Sequence, residues 1–378
     1  MPSRPLISVF AIVALLVGAA QPPASAVGNP VAARPEPGPV PNGPVYAAVY
    51  AGDVLYLGGD FTSVTSGGRA QARSRLAAVD ARSGDLLPWV PTADGRVLAL
   101  AVAGSTVYVG GGFGQVGGAN RTGLASVDSG TGEVTAFDPR PRGQVLALAA
   151  GPDRLYVGGR LGSTGNVAAY TLATGERDAG WRARTDGVVE TLAVAGSRVY
   201  LGGNFTALNS VTGTGRLAAV DAVTGARVPE FTPRIDARVW DLATGGDGSV
   251  YAAVAGPGGR TFALDGTGAT RWIATTDGDP QAVTHLDGVV YTGGHFDRAC
   301  TTPRVGDKGV CLDGSASRIK LAALDAGTGQ LLAWDPRGNG VHGVFALAAH
   351  PGLGKVTAGG EFTTVGGVRW PYLARFGR

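Results

Sequence analysis

The sequence predicts an all-β protein, a seven-bladed β-propeller of four-stranded antiparallel blades, and three observations carry that prediction. The 378 residues include 63 glycines and 23 prolines, punctuation too frequent for a helical bundle. One short motif recurs seven times: LYLGGDF (55–61), VYVGGGF (107–113), LYVGGRL (155–161), VYLGGNF (199–205), VYAAVAG (250–256), VYTGGHF (290–296) and VTAGGEF (356–362), the fifth and seventh degenerate. The stretch 45–378 thereby divides into seven units of about 48 residues, the period of a four-stranded sheet repeated radially.

Taken in order, the chain begins with an address. A basic start at Arg4, an apolar run from Leu6 to Ala20 and the small-x-small triplet Ala24-Ser25-Ala26 predict a signal peptide over 1–26. The run is too short to span a bilayer comfortably, and no later stretch approaches the roughly 20 residues needed. The expected product is secreted, starts at Val27 and is monomeric. A proline-rich segment, 27–44, precedes the propeller proper, 45–378.

Within each unit the first strand, A, is a small unbroken apolar segment such as VLALAVAG (97–104), VLALAAG (145–151) or VFALAAH (344–350), whose alanines suit a crowded axis. Strand B is the VYxGG motif, where β-branched and tyrosine residues favour the pleat and the glycines permit close backbone approach. Strand C is LAAVD or a relative, and its aspartate opens an Asp-x-x-Thr-Gly turn in which the carboxylate accepts turn amides. Strand D carries an aromatic, Trp89, Phe137, Trp181, Phe231, Trp272 or Trp334, placed to pack between neighbouring sheets. The seventh unit stops after YLARF (372–376) with no strand D, so the segment ahead of residue 45 is expected to complete that blade from its outer edge, where prolines are tolerated.

The net charge of +3 comes from 32 basic and 29 acidic residues scattered along the chain, which gives no tract for nucleic acid or anionic lipid. Export makes the two cysteines informative, because thiols outside the cytoplasm tend to pair. Cys300 and Cys311 lie in one irregular loop, 297–314, and are expected to form a local disulfide worth roughly 3 kcal/mol by loop entropy. No zinc-ligand spacing appears, and no metal or cofactor is predicted.

The GGxF and LAAxDxxTGxxxxW motifs resemble those of the secreted bacterial propellers built of delta-60-type repeats, a family whose biochemical role is mostly undefined. The resemblance covers about seven-eighths of the chain. The Asp-x-x-Thr-Gly-x-x-x-Trp portion is also similar to the repeat of pyrroloquinoline-quinone dehydrogenases. That likeness implies the fold, and it implies dye reduction dependent on quinone and calcium only if the activity came with it. Seven units in place of the usual eight, and no matching quinone or calcium motif, separate this chain from those enzymes.

A propeller's strands alternate in direction, so the A–B and C–D turns share one face and the B–C and D–A loops the other. The first set is short and uniform, as at Asp287-Gly288. The second varies from GPGGR (256–260) to the cysteine loop, and variable loops on a rigid scaffold are where binding resides. On that face the x of GGxF is Asp60, Gly112, Arg160, Asn204, His295 and Glu361, and the residues leading into strand A include Arg96, Gln144, Arg238, Gln281 and His342. These are expected to line a polar, ligand-binding pocket at the channel mouth. The alternative is that the first set caps its own B–C loops and the second meets channel water.

Catalytic signatures are sparse. Of the four histidines, His285 and His350 flank A–B turns on the other face, leaving His295 and His342 with Glu361 as the candidate catalytic cluster. No Gly-x-Ser-x-Gly elbow is present, and GFGQVG (112–117) matches a dinucleotide fingerprint in letters only, since no helix follows. The expected function is a secreted binding or scaffold module for an extracellular glycan, peptide or surface partner. The alternative is a polysaccharide lyase or hydrolase using the His/Glu cluster.

Overall fold

The computed structural model describes residues 28–162 and 165–378. The expected signal peptide, 1–26, lies outside the described residues. Seven antiparallel sheets each begin with one of the expected apolar segments: Val45–Ala51, Arg96–Ala103, Gln144–Ala150, Val188–Ala195, Val239–Thr244, Pro280–Leu286 and Val344–His350. Each of these A strands contacts the A strands before and after it, and the last contacts the first, which closes a ring. Sheets run A-B-C outward from that ring, as a β-propeller requires.

The fourth strand is thinner than the repeat suggests. Among the described residues only blade five continues A-B-C-D as a full ladder, with Thr270–Thr275 as its outermost strand. In blades one, two, three, four and six strand D shrinks to single bridges, such as Val79 to Leu86 and Val127 to Val134. Pro88, Pro139, Pro229 and Pro336 fall in four of those segments and remove amide donors, whereas the fifth, ATRWIATT, has no proline before Pro280. In the last blade the outer position is filled from the other end of the sequence. Glu36 bridges Arg375, Ala32 N–H donates to the Gly377 carbonyl, and Trp334 Nε1 donates to the Ala32 carbonyl at 3.2 Å.

Every A strand carries a bulge at the same place, between Val97 and Ala99 in blade two and at the equivalent step in the other six. The glycine pair of strand B lies opposite it. In blade two a Cβ on Gly110 would come within 2.5 Å of Val145 of the next blade, and one on Gly111 within 2.1 Å of the Arg96 carbonyl. The first glycine therefore sets how closely blades approach and the second admits the bulge. The core is divided among the blade interfaces, each cluster drawing on two adjacent sheets, as with Tyr56, Leu76 and Trp89 against Val107, Val109 and Val127. Two of the strand D indoles also lock blades through hydrogen bonds: Trp89 Nε1 donates to the Asp128 carbonyl and Trp272 Nε1 to the Ala326 carbonyl, both at 2.9 Å.

The C–D turns behave as read. Asp128 Oδ1 accepts from the amides of Gly130 and Thr131, and Asp221 and Asp325 repeat the arrangement. The Thr131 and Gly130 amides hold the Asp128 carboxyl below the ordinary carboxylate range, and the Thr224 hydroxyl, followed by the turn amides, does the same for Asp221.

Candidate functional site

The B–C/D–A face is built by a device absent from the sequence reading. In blades one, two, four, six and seven the B–C loop folds into its own two-stranded hairpin, for example Ser63–Ser66 with Arg69–Ala72. An Asn or Asp just ahead of strand A pins each one. Asp94 Oδ1 accepts from the amides of Gly114 and Gln115, and Asn42, Asp186, Asp277 and Asn339 do the same in their blades. Loop capping is thus the work of an Asx-Gly pair, a signal present in the repeat as NGPV, DGRV, DGVV, DGDP and NGVH, and not of the x in GGxF.

The GGxF side chains instead form a rim of short polar contacts. Asp60 accepts from Arg96 Nε at 2.9 Å and is 3.4 Å from Arg75 Nε. That contact with Asp60 raises the Arg96 guanidinium above its ordinary range. Arg216 donates to Asn204 Oδ1 at 2.7 Å, exposed Gln144 sits beside Gly112, and Arg160 is exposed. His342 Nδ1 lies 2.7 Å from Glu361 Oε2. His295 is exposed at the end of its strand and, among the described residues, makes no carboxylate pair within 4.0 Å, so the proposed trio is brought together only as a pair. On the opposite face His285 stacks on Tyr251 at 5.3 Å, where burial lowers its basicity, and His350 lies 3.0 Å from the Gly52 carbonyl.

Inside the rim, the seven bulge residues point into the axial channel, where they line a cavity of about 190 Å³. Four of them, Tyr46, Leu98, Leu146 and Phe345, make an apolar arc, with Tyr46 and Phe345 rings 5.4 Å apart. The other three, Glu190, Trp240 and Gln281, make a polar arc contributed by blades four, five and six. Arg238 pairs with Glu190 and lies 3.6 Å over the Trp240 ring, a cation–π contact at the mouth. Trp240 Nε1 donates to Asp279 Oδ2 at 3.3 Å. Among the described residues Gln281 Oε1 is a buried acceptor with no hydrogen-bond partner.

One residue deeper, Asp241 stands where five of the other blades carry Ala47, Ala99, Ala147, Ala282 and Ala346. Its Oδ2 accepts from Val283 N–H of the next blade, and its Oδ1 from Leu242 N–H and the Thr191 hydroxyl. It is half-buried in the wall of a narrow channel, and desolvation there pushes its carboxyl up to about 6 against the lowering effect of those donors. Arg238 and Gln281 were legible as mouth residues. Glu190, Trp240 and Asp241 were missed because they sit inside a segment read as uniformly apolar. Their only signal is departure from the repeat, VVETLA and VWDLAT in place of VLALA.

Among the described residues no group of three or more His, Cys, Asp or Glu side chains is placed to hold a metal ion, and no helix is long and apolar enough to cross a membrane. The two cysteines form a disulfide, Cys300–Cys311.

Fold and site together define a β-propeller with a polar channel mouth. The chain belongs to the family described as outer membrane protein assembly factor BamB, whose profile matches residues 123–350. It is similar in structure to the WD40 propeller domain of Doa1, at 10% identity over 93% of this chain and 96% of that one, with a TM-score of 0.58. It is also similar to the computationally designed Ika8 protein, at 16% identity over 92% of this chain and 100% of that one, with a TM-score of 0.51. BamB from Moraxella catarrhalis aligns at 18% identity over 88% of this chain and 85% of that one, with a TM-score of 0.48. No curated protein sequence matches.

Proposed function

We propose that the protein is a secreted binding module of the delta-60-type repeat class, which holds an extended peptide segment of an extracellular protein partner at the channel mouth. The observation that carries this is the split mouth. An arc of Tyr46, Leu98, Leu146 and Phe345 offers apolar contact, and the facing arc offers a guanidinium, a carboxylate, an indole and the unpartnered Gln281 acceptor. An apolar wall with a few convergent polar groups is the general form of a recognition site. The exported state is supported by the apolar run at 6–20 and the disulfide.

The test is calorimetric titration of the protein with an immobilisation-selected peptide and, in parallel, with neutral and acidic oligosaccharides. Trp240→Ala and Gln281→Leu are expected to weaken peptide binding by about tenfold or more, as for truncation of a central contact, without shifting the unfolding midpoint. Equal affinity in both variants rejects the mouth as the site, and binding of oligosaccharide alone reassigns the partner to a glycan.

A second reading, an extracellular lyase or hydrolase, is favoured by the exposed His342–Glu361 pair, whose geometry suits an oriented general base. Polysaccharide turnover abolished by His342→Ala would support it, and turnover unchanged in that variant would end it.

A further inference from the structure

Three equivalent positions fill the gap between successive blades: in one blade the strand C residue paired with the first position of the glycine pair, and in the next blade the residue before the glycine pair and one in the B–C hairpin. Between blades one and two they are Leu76, Val109 and Val116, between three and four Val167, Leu201 and Leu208. Between six and seven they are Leu321, Ala358 and Val365, and between seven and one Leu373, Leu57 and Val64. Between blades five and six the same positions are Thr261, Thr292 and Ala299. Apolar filling has been exchanged for two hydroxyls and a methyl at one interface of the ring.

The result is a cleft of about 480 Å³, within the size range of small-molecule sites. Thr261 Oγ1 and Thr292 Oγ1 lie 3.1 Å apart on its floor. Thr275, itself 2% exposed, lines it, and its buried hydroxyl has no partner among the described residues. The disulfide-bearing loop supplies the lid through Cys300 and the residues after it, and no charged side chain lines the cavity among the described residues.

We propose that this cleft is a binding site for an uncharged, hydroxyl-bearing ring compound the size of one neutral sugar residue. Hydroxyls donate and accept equally well, which suits a ligand offering both, and the methyl, alanine and leucine surfaces between them suit the C–H faces of a ring. An anionic ligand is excluded by the same lining, because its charge would be buried without a counterion. The site lies between the blades on the flank of the ring and is independent of the channel mouth.

The experiment is calorimetric titration of the protein with xylose, N-acetylglucosamine and myo-inositol as neutral probes and glucuronate as the charged control. At least one neutral probe is expected to bind with a Kd on the order of 1 mM or tighter, and glucuronate at least about tenfold more weakly. The pair Thr261→Leu with Thr292→Val restores the filling found at the other interfaces and is expected to abolish binding. Thr275→Val, which keeps the shape and removes the unpartnered hydroxyl, is expected to weaken it about tenfold with the unfolding midpoint unchanged, and this variant decides the matter if the double variant does not fold. Failure of all three neutral probes to bind, or undiminished binding in Thr275→Val, would overturn the proposal.

Discussion

Blade five and its six neighbours come from the same repeat and solve its packing differently. Elsewhere strand B ends in a glycine pair, the B–C loop of most blades makes its own hairpin, and strand D is a single bridge. Blade five has Ala253 and Val254 at the glycine positions, a five-residue AGPGG link in place of a hairpin, and a complete fourth strand. The space above its short link is covered from blade six, whose disulfide loop brings Val305 and Gly309 against Gly258. The two departures are therefore one arrangement: a deletion in one blade filled by an insertion in the next. Where the repeat is relaxed, chemistry accumulates, since Trp240, Asp241 and the threonine cleft all belong to blade five or its border.

The largest way to break that arrangement is to free the covering loop. Cys300→Ser with Cys311→Ser is expected to cost roughly 3 kcal/mol by loop entropy, read as a lower denaturant midpoint under oxidising conditions, with reductant erasing the difference from the parent. A midpoint equal to the parent's would show that the loop holds its place by packing alone.

Asp241→Ala, which gives blade five the residue found at five equivalent positions, sharpens the comparison through pH. The native carboxyl is pushed up to about 6 and the unfolded one titrates near 3.9, so the folded state binds the extra proton between those values. Asp241 thus contributes stability that is present in acid and lost as pH rises through about 6, amounting to up to about 3 kcal/mol. Subtracting the variant's stability profile from the parent's should expose a fall between pH 4 and 6. A flat difference would mean that the channel hydrates this carboxylate fully.

A smaller effect comes from exchanging the glycine rule between blades. Gly110→Ala places a methyl 2.5 Å from Val145 and is expected to cost about 1–3 kcal/mol, whereas Ala253→Gly costs only about 0.5–1 kcal/mol through strand entropy. Equal costs would show that the first glycine does not set blade spacing.

Much of the ring was readable because it is periodic. The VYxGG and LAAxD segments recur at a fixed interval, and strand pairing, turn aspartates and aromatic wedges follow from local chemistry repeated in each copy. The hairpins on the loop face were hidden by the same habit of reading, since Ser63–Ser66 and Gln115–Val116 vary in sequence and are held by Asx side chains about 20 residues earlier. The channel site was half legible. Arg238 and Gln281 announce themselves by charge and position, but Glu190 meets Arg238, and Asp241 meets Val283 N–H, only once the ring has closed. The threonine cleft needed the register of two adjacent sheets before its positions could be matched to the leucines and valines elsewhere.

The seam in the last blade has a kinetic meaning. Arg375 is 2% exposed, donates to the Ala81 carbonyl at 2.6 Å and sits beside Glu36, which also pairs with Lys355. A contact between residues 36 and 375 cannot form until residue 375 has been synthesised, so six blades must wait, open-ended, for the seventh. Such long-range pairing makes for slow maturation. A latch that joins residue 36 to residue 375 shuts only after the seventh A strand has been made, and it keeps the ring open until then.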